Sequence, residues 1–172
     1  MVARLAPLLI ALAILGFAGW RLASPSDEPQ VTSQLVGRPL PALSLPEIVA
    51  DTDGIDTPVS GTPYLINLFG SWCAPCIAEA EHLEALARAG VPIDGIAVRD
   101  TPQAVQRFLD RHGDPFVRIG ADPDSQAMLE LGATGVPETF LIGPDGVVRA
   151  HWQGPIEADD VPVILDMVEE LR

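Results

Sequence analysis

An apolar run, Tyr64-Leu65-Ile66-Asn67-Leu68-Phe69, gives way within a few residues to an Ala-, Leu- and Glu-rich stretch from Ala74 to Ala89 that Gly90 stops. The first pattern is that of a buried strand and the second that of a helix. Both cysteines of the chain fall at the junction, in Trp72-Cys73-Ala74-Pro75-Cys76. The first cysteine therefore stands at a helix N-terminus, where unpaired backbone N–H groups and the positive end of the helix dipole favour a thiolate. This points to a reversible dithiol, with Cys73 as nucleophile and Cys76, one turn inward, as the resolving thiol.

Other uses of the pair fit less well. A closed zinc site needs four nitrogen or sulfur ligands, and the remaining candidates, His82, His112 and His151, are scattered. A purely structural disulfide that closes so short a loop removes little chain entropy.

The chain of 172 residues suits one domain with an appendage. Residues 1–23 hold a short basic start at Arg4 and an apolar segment from Leu5 to Trp20 closed by Arg21, which predicts a membrane anchor with the domain exported. A cleaved signal peptide has the same grammar. Residues 24–34 are polar and contain proline, as a tether would. Residues 35–172 are long enough for one hydrophobic core. The formal charge is −14, with arginine as the sole strongly basic residue, which argues against a nucleic-acid partner.

Alternation of pattern predicts a strand over 63–69, a helix over 74–89, a strand over 91–98, a helix over 102–112, a short strand near 116–119 and a helix around 124–131. A hairpin, 138–142 and 147–152 about Gly143-Pro144-Asp145-Gly146, and a helix over 158–171 follow. The segment before Pro63 reads as a leading loop, a short strand at Leu43-Ser44-Leu45 and a polar connection from Asp51 to Gly61. The order is βαβ followed by a hairpin, an α/β fold.

A C-x-x-C beside a βαβ unit resembles the thioredoxin arrangement. The combination of Asn67 to Cys76, Gly113-Asp114-Pro115-Phe116 and Gly135-Val136-Pro137-Glu138-Thr139-Phe140-Leu141-Ile142 resembles one branch more closely: the membrane-anchored, periplasmic thiol:disulfide interchange proteins of bacterial cytochrome c maturation. That resemblance implies a thioredoxin-like fold with a central mixed sheet flanked by helices, a cis bond before Pro137, and no cofactor beyond the redox-active Cys73–Cys76 disulfide. It implies a protein-disulfide reductase that keeps the haem-attachment cysteines of apocytochrome c reduced, directly or through a maturation partner. Its electrons would come from a thiol-disulfide carrier of the inner membrane. A copper-site protein of an oxidase as substrate, or a copper or zinc metallochaperone role, stands as the alternative. The chain departs from the family pattern in the order Ala74-Pro75, at Gly95 to Asp100, and at Gly132-Ala133-Thr134-Gly135, where an aromatic is expected.

Four residues are candidates for tuning the dithiol. Asn67 lies six positions before Cys73, where ordinary thioredoxins carry a buried aspartate, and it cannot serve as that base. Glu79, one turn after Cys76, and Glu138, after Pro137, are candidate proton acceptors for the resolving thiol through water, although a solvated helix face is the expected place of Glu79. Trp72 is expected to pack beside the dithiol.

Overall fold

The computed structural model describes residues 33–50, 52–57 and 61–172, together with Ile14 and Gly16. The chain divides into two units, Met1–Gln30 and Val31–Arg172, and the second carries the architecture that follows. The predicted anchor, apart from Ile14 and Gly16, and most of the tether lie outside the described residues. Among the described residues no helix is long and apolar enough to cross a membrane.

The elements are β1 (Ser44–Leu45), β2 (Ile55–Asp56), β3 (Tyr64–Phe69), α1 (Ala74–Arg88), β4 (Ile93–Val98), α2 (Pro102–His112), β5 (Arg118–Asp122), α3 (Gln126–Glu130), β6 (Glu138–Ile142), β7 (Val148–Gln153) and α4 (Asp160–Glu170). Five strands form one mixed sheet in the order β5-β4-β3-β6-β7. β3, β4 and β5 run parallel, as α-helical crossovers require, and the β6–β7 hairpin adds antiparallel to β3. This is the thioredoxin-like α/β arrangement.

β3 is the central strand and every residue of it is buried, so its two faces must both be covered. Alternation assigns them. Tyr64, Ile66 and Leu68 pack with Phe140, Ile142, Met128 and Leu131, under α3 and the leading segment. Leu65 meets Leu83 and Leu86 of α1 and Ile164 and Val168 of α4, while Phe69 meets Ala80 of α1 and Val105 and Phe108 of α2. Asn67 shares the parity of Leu65 and Phe69, so its side chain is turned toward α1.

Three departures from the sequence expectation have local causes. The strand predicted near 116–119 begins at Arg118, because Phe116 turns inward to stack on Phe69 at 4.8 Å. It fills the space above Gly95, where a Cβ would lie 2.9 Å from the Phe116 ring. The helix predicted around 124–131 starts only after Ser125, whose backbone is left-handed. The polar connection from Asp51 to Gly61 holds an unpredicted strand, β2, which pairs with β1 and buries Ile55 completely. Isolated bridges from Glu47 to Gly120 and from Asp53 to Arg118 then lay this leading segment along β5.

Candidate redox site

Cys73 is the N-cap of α1, and its Sγ accepts the N–H of Cys76 at 3.2 Å. Pro75 occupies the first turn, where its missing N–H costs nothing. Cys73 and Cys76 form a disulfide. Both are buried, Cys73 with 4 % of its surface exposed and Cys76 with 1 %, so the helix end does not expose the first cysteine as its position alone implies. The cover is Val136, which packs against the cluster that contains both cysteines and whose carbonyl oxygen lies 3.6 Å from Cys73 Sγ. The Val136–Pro137 bond that follows is cis.

Trp72 is 58 % exposed, yet its ring folds back over Gly70, where a Cβ would stand 2.7 Å from the indole. Its Nε1 donates to the carbonyl of Val98 at 3.3 Å, and Ser71 is tied to Asp100 through both backbone N–H and hydroxyl. The loop before Cys73 is thereby fastened to the end of β4.

Beneath the disulfide, Asn67, Phe69, Cys76, Glu79 and Phe116 line one narrow cavity. Glu79 is not on a solvated helix face: only 1 % of it is exposed. Asn67 Nδ2 donates to Glu79 Oε1 at 3.0 Å, and the Ile156 backbone N–H donates to Oε2 at 2.9 Å. Burial dominates over these two hydrogen bonds and pushes Glu79 up to about 7. A carboxyl that titrates near neutrality beside the resolving cysteine is suited to taking and returning a proton. Asn67 Nδ2 also donates to Thr139 Oγ1 at 3.0 Å, which leaves Asn67 Oδ1 buried without a partner among the described residues.

Glu138 does not join this group. It pairs in register with Leu68, whereas Thr139 pairs with Asn67, so Glu138 projects from the opposite face of the sheet. Its carboxylate is fully engaged: Oε1 accepts from Thr134 N–H, Thr134 Oγ1 and Gly135 N–H, and Oε2 meets His151 Nε2 at 2.7 Å. Burial pushes Glu138 up, but His151 and the Thr134 donors outweigh it and hold the group below the ordinary carboxylate value. Glu138 is thus a clamp on the loop before Pro137, and the sequence expectation that it serves Cys76 as a proton acceptor is corrected by the parity of β6.

His151, by sequence only one of three scattered histidines, is part of the Glu138 clamp. Its side chain is buried, stacked on Phe140 with centroids 4.1 Å apart. Because Ser33 N–H donates to Nδ1 at 3.1 Å, Nε2 carries the ring hydrogen and donates to Glu138. Pairing within the hairpin held the clue, since His151 stands opposite Phe140, two residues from Glu138 on the same face. Ser33, assigned to the tether by composition, is buried and belongs to the folded domain. Among the described residues no cluster of three or more His, Cys, Asp or Glu side chains is placed to hold a metal ion.

The redoxin family profile matches residues 35–168, most of the chain. The chain belongs to the redoxin family. It is 34 % identical over 161 residues to the thiol:disulfide interchange protein HelX of Rhodobacter capsulatus, covering 93 % of this chain and 91 % of that one. It is 34 % identical over 159 residues to the thiol:disulfide interchange protein DsbE of Escherichia coli, covering 88 % of this chain and 85 % of the relative. Among solved structures, a putative DsbE of Chlorobium tepidum superposes with a TM-score of 0.67 at 22 % identity, over 80 % of this chain and 98 % of the other, which shows the shared fold.

Proposed function

We propose that the protein is a periplasmic protein-disulfide reductase of cytochrome c maturation, held at the inner membrane by residues 1–23. The observation that carries this reading is the Cys73–Cys76 disulfide at the head of α1 with Glu79 buried behind it. The similarity to proteins named thiol:disulfide interchange proteins supports the class of reaction. The Cys73 thiolate attacks a sulfur of the partner disulfide, forming a mixed disulfide and releasing one partner thiolate. Cys76 then gives its proton to the Glu79 carboxylate and attacks Cys73 Sγ. The Cys73–Cys76 disulfide forms, the second partner thiolate leaves, and the partner has gained two electrons. A membrane thiol carrier returns them by the reverse exchange. The substrate is the C-x-x-C-H disulfide of apocytochrome c or a maturation protein that carries it.

Replacement of Cys76 by Ser removes the resolving step. The Cys76→Ser variant is expected to accumulate a mixed disulfide through Cys73 with a haem-attachment partner, identified by mass mapping. A variant that traps no thiol protein, while Cys73 remains alkylatable, would sink the assignment. The full chain is also expected to stay with membranes through a carbonate wash, whereas a mature chain beginning between Ala18 and Ser24 would establish a cleaved signal.

A further inference from the structure

On α2, Ala104, Arg107, Phe108 and Arg111 fall on one stripe of the helix. With Ser71 and Ile77 they line a groove of about 190 Å³. Ser71 stands two residues before Cys73 and Ile77 four after it, so the groove opens at the base of the loop that carries the nucleophile. Its charge runs against that of the chain, which has 24 acidic residues to 10 Lys and Arg.

Among the described residues neither arginine is engaged within the fold, a condition they share with Arg38 and Arg99, which lie outside the groove. Arg88, Arg118, Arg149 and Arg172 each pair with a carboxylate. Arg107 and Arg111 are exposed and make no ion pair or hydrogen bond among the described residues. Like charges one turn apart disfavour a helix, and the only carboxylate of α2, Asp110, is turned to Gln106 at 3.0 Å. Asp100, at the neighbouring loop, is spent on Ser71 and Thr101. Two free guanidinium forks over the apolar surface of Ile77 and Phe108 match carboxylates on an extended peptide.

We propose that this groove receives an acidic segment of the disulfide-bearing partner and so sets the partner's disulfide against Cys73. The proposal rests on the reductase reading above. A membrane surface is the poorer occupant, because the groove adjoins the dithiol, which must face a protein disulfide during exchange.

The test compares two oxidised C-x-x-C-H peptides of one core sequence, one flanked by Glu and Asp and one by Ser and Gln, each mixed with the reduced full-length protein. The acidic peptide is expected to be reduced about tenfold faster by second-order rate, the lower end of what local charge complementarity gives. In R107Q/R111Q the ratio falls to about one, and in R107K/R111K it is partly retained, since charge without the fork remains. Equal wild-type rates on the two peptides, or an R107Q/R111Q ratio equal to wild type, overturn the docking proposal alone. A wild-type protein that reduces neither peptide overturns the reductase reading and the docking with it. Loss of binding to phosphatidylglycerol vesicles in R107Q/R111Q with an unchanged peptide ratio assigns the groove to the membrane and overturns the proposal.

Discussion

Glu79 ties stability to chemistry at a single residue. Its pKa rises from 4.5 unfolded to about 7 folded, so the folded state holds the proton more tightly. The resulting stabilisation is fully present below pH 4.5 and disappears as pH rises through 7; a displacement of this size is worth on the order of 3 kcal/mol. Glu79→Gln is expected to flatten that part of the stability profile, measured by urea midpoints between pH 4 and 8. The same substitution removes the proton acceptor, and release of partner from the mixed disulfide is expected to slow about 100-fold at neutral pH and to lose its inflection near 7. Stopped-flow release kinetics decide this, and an unaltered pH profile would show that Cys76 loses its proton elsewhere. Asn67 contributes by orientation: its amide fixes Glu79 Oε1 and is itself fixed by Thr139.

At the scale of elements, the loop before β6 is held by what β6 and β7 bury behind it. Glu138 takes three hydrogen bonds from Thr134 and Gly135 and a fourth from His151, so the position of Val136 over Cys73 depends on hairpin side chains that project from the other face of the sheet. Glu138→Ala leaves the buried His151 Nε2–H and two backbone N–H groups unpaired, and is expected to cost about 3 kcal/mol. The Val136 cover loosens with it, so alkylation of reduced Cys73 is expected to accelerate. Denaturation midpoints and iodoacetamide labelling check the two halves separately; lost stability with unchanged labelling would show that the clamp and the cover are independent. The side chain of Phe116 plays the matching part on the dithiol face, where it closes the cavity over Gly95.

At the scale of the whole molecule, the question is the direction of electron flow. Thioredoxin-like dithiols range from about −270 mV in reductants to about −120 mV in strong oxidants, which gain their power by stabilising the reduced thiolate. Here a carboxyl that ionises near neutrality lies behind the pair and the net charge is −14, both of which oppose the thiolate. The potential is expected near the reductant end, and a glutathione titration that places it near the oxidant end would remove the reductase assignment and leave the fold standing. Most of this architecture was legible in the chain, because strands and helices long enough to show their period announce themselves: β3, α1, α2 and the β6–β7 hairpin lie where alternation and helical spacing put them. The two-residue strands β1 and β2 have no period to read, and only their docking against β5 creates them. The same division runs through the site. Cys73 and Cys76 are close in sequence, so their spacing alone determined the dithiol and its helix end. What separates Glu79 from Glu138 is which face of a sheet each side chain meets. Burial moves Glu79 up against the donors Ile156 and Asn67, whereas the donors Thr134 and His151 hold Glu138 down. Most of these contacts cross between elements that only tertiary packing brings together, and a desolvation penalty exists only once that packing has removed the water.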